Sequence, residues 1–146
     1  MISVREVANY MLHRDAMNEG DGLSNLKLQK LVYYAQGFHL AIFDQPLFEE
    51  RIEAWTHGPV TPELYQQYKS FGKNPIPLAG DSGLKQCVFS DNQRELLDEV
   101  FEVFGQYSAW KLRDMTHEES PWLNNESHAG VISPDEIKEY FKTRIQ

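Results

Sequence analysis

The stretch SNLKLQKLVYYAQGFHLAIF, residues 24–43, decides the fold. Its apolar side chains recur at intervals of three or four residues, which is the spacing of one helix face, and Ser24 is a typical N-cap. Because this is the most hydrophobic segment of the chain, we predict that it forms the central helix. Its uncharged part, residues 31–43, is shorter than the about 20 apolar residues of a membrane-spanning helix, so we expect no membrane partner. The predicted apolar stripe is Leu28, Leu31, Val32, Ala35, Phe38 and Ile42.

Start signals for further helices lie on both sides of this segment. Ser3, Ser90 and Ser133 are each followed three positions later by Glu or Gln, which is the spacing of a capping box. Thr61 precedes a proline, and Ser108 precedes a segment of helical periodicity, so both also predict helix starts.

Short strands are predicted in the middle of the chain. Ile52 and Ala54 alternate with Glu53 and Trp55, which is the period-two pattern of a half-buried strand. The other elements predicted are a strand at residues 47–48, a second at 88–89, a turn at Gly58-Pro59 and a loop over residues 72–86. The fold class that follows is mainly α, a single compact domain over residues 1–146 with about six helices and a small central β element. We expect no separate DNA-binding domain in a chain of this length.

Charge and composition restrict the class of partner. The chain has 146 residues, with 14 basic and 22 acidic side chains and a formal net charge of −8. Polyanions such as DNA and RNA attract the opposite sign, so we expect no nucleic-acid partner. The single cysteine, Cys87, excludes an internal disulfide framework and fits a reducing compartment, and the first residues lack a signal-peptide pattern. We therefore expect a cytoplasmic protein.

Signals for an enzyme are weak. Residues 80–83, GDSG, match the nucleophile motif of trypsin-like proteases, but a mainly helical chain does not form the β-barrels of those proteases. The histidines lack the local spacing of metal ligands and no Gly-rich phosphate loop occurs, so we expect neither a metal nor a cofactor. One enzymatic alternative stays open, in which His57 and His117 act with Glu118 or Glu53 as the acid–base or metal group of a small hydrolase.

Two clusters rich in Trp, His and Pro are not explained by helix periodicity. They are WTHGPVTPELY at residues 55–65 and THEESPW at residues 116–122. One interpretation is a rigid corner in which the histidines bind main-chain groups. The other is a recognition surface, because aromatic residues are enriched where proteins bind their partners.

With these segments the chain resembles the Panacea domain family, described as SocA-like antitoxins and phage-associated GepA-like proteins. The resemblance is carried by LKLQKLVYYAQGFHL at residues 26–40, by PLF, IEAW and HGPV between residues 46 and 60, and by THE and PW between residues 116 and 122. It implies a non-enzymatic antitoxin that neutralises a cognate toxin, encoded by the adjacent gene, through direct binding. The residues implied in partner binding or in the family motif are Trp55, His57, Gly58, Pro59, Tyr65, His117, Glu118 and Trp122.

Two further expectations concern the partner. The net charge of −8 would speed association with a basic toxin through long-range attraction. A proteolytic adaptor, which delivers its partner for degradation, is a second alternative beside the small hydrolase, because such an adaptor is also a protein-binding module.

Overall fold

The structure, a computed structural model, describes residues 2–78 and 88–145. Within these residues the chain is mainly helical with one small sheet, which confirms the predicted fold class. No described helix is long and apolar enough to cross a membrane. The helices are α1 (Val4–Met17), α2 (Asn25–Phe43), α3 (Pro62–Tyr68), α4 (Asp91–Phe104), α5 (Ala109–Thr116), α6 (Ser120–Leu123) and α7 (Pro134–Lys142), and the strands are β1 (Ile52–Trp55), β2 (Gly58–Val60) and β3 (Val131–Ile132). Short 3-10 helices cover Lys69–Phe71 and Glu126–His128.

Helix α2 lies at the centre of the fold, as its sequence predicts. It packs against α1, α3, α4, α5 and α7 and against β2, and Leu28, Leu31 and Val32 of the predicted stripe are fully buried. Because neighbours surround the helix, several of its polar side chains are buried as well; they are Asn25, Gln29, Lys30, Gln36 and His39. The prediction for Ile42 is wrong: this side chain is 47% exposed and forms the wall of an open groove beside Val103 instead of packing inside the core.

Side-chain caps confirm most of the predicted helix starts. The hydroxyls of Ser24 and Ser108 accept a hydrogen bond from the main-chain N–H three residues later, at the starts of α2 and α5. Ser3 and Ser90 form complete capping boxes at the starts of α1 and α4, because the side chain at the third helical position also reaches back to the cap.

The third predicted capping box, at the start of α7, is only half formed. Ser133 accepts from the Glu136 main-chain N–H, but the Glu136 carboxylate points elsewhere. It accepts hydrogen bonds from Asn124 and Asn125, whose Nδ2 atoms lie 2.8 and 3.0 Å from its oxygens. The glutamate therefore ties α7 to the segment that follows α6.

The sheet is antiparallel with the strand order β2-β1-β3. Trp55 pairs with Gly58, so residues 56–57 make the turn and the prediction of a turn at Gly58-Pro59 is wrong. Pro59 is accommodated because β2 is an edge strand, where a missing N–H leaves no ladder bond unmade. The burial pattern of β1 confirms the predicted alternation.

The predicted strand at residues 47–48 is wrong, although both side chains are buried. Gln36 of α2 satisfies this main chain in place of a neighbouring strand: its Oε1 accepts from the Leu47 N–H at 2.7 Å, and its Nε2 donates to the Phe48 carbonyl at 2.7 Å. Residues 88–89 also form no strand. Phe89 packs edge-on against Tyr10, with 5.4 Å between the ring centroids.

Several predictions fall outside the described residues. They concern the part of the 72–86 loop beyond residue 78, the GDSG segment at residues 80–83, and Cys87.

Candidate functional site

The two Trp-His-Pro clusters, about 60 residues apart in the sequence, meet at the β1–β2 hairpin. The Trp122 Nε1 donates to the Trp55 main-chain carbonyl at 2.7 Å. The His117 ring stacks on the Trp122 ring, with the ring centroids 3.8 Å apart and the planes within 5°. The second cluster therefore supports the back of the hairpin that the first cluster forms.

The two candidate histidines have different environments. His57, in the hairpin turn, is exposed; its Nδ1 accepts from the Arg113 Nε at 3.3 Å, and its ring meets the Trp110 ring edge-on at 5.4 Å. His117 is partly buried, and its Nε2 has no hydrogen-bond partner within the described parts of the chain. Burial lowers the pKa of His117, and the positive charges of Arg113 and Lys30 lower it further.

The carboxylates of the hydrolase alternative make contacts other than with these histidines. Glu118 is exposed and forms no hydrogen bond to either ring in the described structure. Glu53 accepts from the Trp55 Nε1 at 2.9 Å and the Arg51 Nε at 2.7 Å, and these hydrogen bonds lower the pKa of Glu53. Residues 2–78 and 88–145 contain no group of three His, Cys, Asp or Glu side chains placed to hold a metal ion.

Lys30 of α2 is a residue of the site that sequence reasoning missed. It lies fully buried beneath the hairpin, where its Nζ donates to the Pro59 carbonyl at 3.2 Å. Burial lowers the pKa of Lys30 to about 7, with a smaller contribution from the charge of Arg113. The signal available in the sequence was a lysine inside the most hydrophobic segment of the chain.

The buried lysine explains the glycine of the HGPV motif. Gly58 has a φ of +110°, and a Cβ at this position would lie 2.5 Å from the Lys30 Cε and 2.8 Å from the Thr116 Oγ1. Any larger residue would be strained and would also push against the lysine. Gly58 and Pro59 are buried, so they shape the hairpin and present no side chain to solvent.

A series of hydrogen bonds through side-chain amides positions α3 against α2. The Thr61 side chain makes no capping bond, contrary to the prediction, but its main-chain N–H donates to the Gln29 Oε1 at 2.8 Å. Gln29 Nε2 donates to Asn25 Oδ1 at 3.0 Å, and Asn25 Nδ2 donates to the Tyr65 carbonyl at 3.3 Å. The Tyr65 ring is thereby held edge-on to Trp55, 5.0 Å between centroids.

Glu119, the neighbour of the predicted Glu118, is the buried carboxylate of the second cluster. It accepts from the hydroxyls of Tyr33 and Tyr34 at 2.9 and 2.7 Å, and the Arg144 Nη1 lies at 3.5 Å. Burial raises the pKa of Glu119, and the two tyrosine hydroxyls oppose that rise. These contacts join α2 to the start of α6 and to the C-terminal end of the described chain.

An open groove lies in front of the hairpin, with a volume of about 500 Å³. We call it the hairpin groove. Trp110, at the start of α5, is 57% exposed there, and sequence reasoning assigned it only to a helix. Of the eight predicted residues, three line the groove, while Gly58, Pro59, His117 and Trp122 lie behind it or beneath it and Glu118 does not contribute. The principal side chains of the hairpin groove are Trp55, His57, Tyr65, Lys69, Lys73 and Trp110.

Comparisons with known proteins agree on one family. The model of the SocA-like antitoxin family, Panacea domain, matches residues 28–123, a range that contains both clusters. Antitoxin SocA of Caulobacter vibrioides (strain NA1000 / CB15N) is 32% identical over 130 residues, which cover 83% of this chain and 69% of that protein. No solved structure matches significantly. These similarities support an antitoxin role, and the chain belongs to the SocA-like antitoxin family that carries the Panacea domain.

Proposed function

We propose that this protein neutralises a toxin by binding it directly, and that the toxin is encoded by the adjacent gene. The observation that carries the proposal is the hairpin groove, an exposed aromatic surface inside the segment that defines the family. Trp110 is exposed there, and Trp55 and Tyr65 are half-buried. Trp and Tyr side chains that line a concave surface are typical of the residues that dominate binding energy at protein interfaces.

The contacts behind the groove favour recognition over catalysis. Lys30, Gly58 and Gln29 hold the hairpin and α3 in place, and Glu53 and Glu119 are already engaged by hydrogen-bond donors. This arrangement gives a fixed framework with an aromatic face, which is what a binding module needs. An interface of ordinary size covers about 800 Å² on each partner, so the groove would form its centre and neighbouring surface its rim.

Co-expression with the product of the adjacent gene tests the proposal. We expect that product alone to stop growth, the pair to restore it, and the two proteins to elute together in size-exclusion chromatography. Trp110→Ala is expected to weaken the complex about tenfold or more, because it removes the most exposed aromatic anchor. Met17→Ala is the matched control, since Met17 is also an exposed large apolar residue, at the end of α1 and outside the groove.

Three outcomes would contradict direct neutralisation. The adjacent product could be harmless, it could stay toxic in the presence of this protein, or growth could return without a detectable complex. The half-life of the toxin separates simple binding from the adaptor alternative. If this protein only binds the toxin, its presence leaves the toxin's half-life unchanged both in normal cells and in cells that lack the protease. An adaptor would shorten the toxin's half-life in normal cells and have no effect in cells that lack the protease.

A further inference from the structure

The hairpin groove differs in charge from the molecule that contains it. The chain has a net charge of −8, yet the groove is lined by Lys69 and Lys73 and by no acidic side chain of the described residues. Both lysines are exposed, and neither forms an ion pair within residues 2–78 and 88–145. Their charges are therefore available to a partner.

Three other grooves formed by described residues each contain at least one carboxylate. The groove beside α1 and residues 45–49 includes Glu6 and Glu49, and the one beneath the sheet includes Glu49 and Glu50 together with Arg51. The apolar groove between α2 and α4 includes Glu99 and Arg144, one charge of each sign. In a chain with 22 acidic and 14 basic side chains, a groove lined by two lysines and by no carboxylate differs from the charge of the whole molecule. The nearby Glu53 carboxylate, which accepts from the Trp55 Nε1 at 2.9 Å, is paired with Arg51.

We propose that the hairpin groove binds an acidic segment of the toxin, with one or more carboxylates beside Lys69 and Lys73 and an apolar side chain against Trp55 and Trp110. The inference rests on the proposed function and specifies the partner's chemistry. Aromatic walls favour an apolar anchor, and the two lysines at the 3-10 helix and after it favour carboxylates next to that anchor.

This partner chemistry differs from the one that the net charge predicts. Net charge acts at long range and mainly changes the rate of association, so a basic toxin would still approach faster. Contacts inside an interface depend on the local charges, because water is excluded there and the interacting groups are only a few ångströms apart. A toxin that is basic overall and carries an acidic segment satisfies both conditions.

A phosphate-bearing ligand would also be attracted to two lysines and aromatic rings. The net charge of −8 opposes a long polyanion, however, because the molecule as a whole repels phosphates that extend beyond the groove. A protein segment with a short acidic stretch avoids this repulsion, so the observations favour protein over nucleic acid.

A matched pair of charge-reversal variants tests the inference with the full-length proteins. Lys69→Glu/Lys73→Glu changes the groove, and Lys138→Glu/Lys142→Glu makes the same change in net charge on α7, where both lysines contact Asp44. The dissociation constant for the purified product of the adjacent gene is measured for the wild type and each variant, and thermal melting checks folding. We expect the groove variant to bind at least tenfold more weakly, and the α7 variant to stay within about threefold of the wild type.

Two additional measurements make the result specific. The milder Lys69→Gln/Lys73→Gln variant is expected to show an intermediate loss, which keeps the test valid if charge reversal disturbs folding. An array of overlapping 15-residue peptides from the same toxin is expected to yield binders that contain Asp or Glu next to an apolar residue. Their binding should be lost in the groove variant and kept in the α7 variant.

The contrary outcomes distinguish failure of this inference from failure of the proposed function. If the wild type and the groove variant bind the toxin equally well, the inference is overturned while the proposed function stands. Binding peptides without Asp or Glu would overturn it in the same way. If a 12-nucleotide RNA binds more tightly than any peptide and loses affinity on Lys69→Glu/Lys73→Glu, the groove is a nucleic-acid site and the inference is wrong. If the wild type binds no adjacent-gene product at all, the proposed function fails and the inference falls with it.

Discussion

Replacing Lys30 by methionine should remove a specific pH dependence of folding stability. Methionine has a similar length and fills the same buried space, but it carries no ionisable group. In the folded protein burial lowers the pKa of Lys30 from 10.5 to about 7, whereas an unfolded chain returns the lysine to its ordinary value. At a pH between these two pKa values, the unfolded state therefore binds one proton more than the folded state. Stability must consequently rise as the pH increases from about 7 towards 10.

The expected size of this effect follows from the two pKa values. One proton corresponds to about 1.4 kcal/mol for each pH unit at 25 °C. Between pH 7.5 and 9.5, the difference in bound protons between the unfolded and folded states raises the free energy of unfolding by about 2.5 kcal/mol through Lys30 alone. Lys27 also has a pKa lowered by burial and adds to the slope in the same direction, but it is present in both proteins. The difference between wild type and Lys30→Met isolates the buried lysine.

Urea denaturation followed by circular dichroism, at half-unit steps from pH 7.5 to 9.5, measures the effect. The upper limit avoids the buried tyrosines: burial raises the pKa of Tyr10 to about 12 and also raises the pKa of Tyr33 and Tyr34. Above about pH 10 an unfolded tyrosine loses its proton first, and stability falls. Lys111→Met, which removes an exposed lysine from α5, is the matched control and is expected to follow the wild-type profile.

Parallel stability profiles of Lys30→Met and wild type over this interval would refute a lowered pKa of Lys30. A steeper profile in the variant would also refute it. Parallel profiles would mean that Lys30 keeps its ordinary affinity for protons, and a steeper variant profile would mean that folding raises this affinity. Neither result fits a lysine enclosed beneath the hairpin.

Three further substitutions test the packing around the site. Gly37→Ala should destabilise the protein by about 1–3 kcal/mol although alanine is the better helix former, because the added Cβ would overlap the Phe141 ring. Chemical denaturation measures this loss. A stabilised variant would contradict the packing of α7 on α2. Glu119→Gln should lower the free energy of unfolding by about 1.5–3 kcal/mol, since two tyrosine hydroxyls lose a charged acceptor, and an unchanged urea midpoint would count against that network. Trp122→Phe should lower the free energy of unfolding by about 1 kcal/mol or more, because it removes the indole hydrogen bond to β1. The affinity for the toxin should stay within about twofold of the wild type. A large loss of affinity with an unchanged melting temperature would instead place Trp122 in the interface.

The parts of the fold that sequence reasoning predicted are those with local signals. Helix α2 was predicted from the spacing of its apolar residues, and the starts of α1 and α4 from a serine and an acceptor three residues away. The strand predicted at residues 47–48 failed because its backbone is satisfied by Gln36, a side chain 11 to 12 residues away in the sequence. No local pattern distinguishes that arrangement from a strand.

The candidate site was predicted less completely, because its decisive contacts join distant segments. Glu118 and Glu119 are adjacent and chemically equivalent in the sequence, and only the position of Tyr34, 85 residues earlier, shows which of them is buried. Lys30 was missed for the same reason, since its acceptor is a carbonyl 29 residues away. Exposure of Trp110 likewise depends on which elements cover α5.

The close approach of Lys30 to Gly58 has a consequence for how such proteins diversify. Gly58 begins β2 and lies directly over Lys30, so a side chain at position 58 would demand a compensating change at position 30. Lys69, Lys73 and Trp110 face solvent and are free of that constraint. Substitutions can therefore change the outer rim while the inner scaffold stays constant. Under the proposed function, a few surface replacements would suffice to alter which partner is bound.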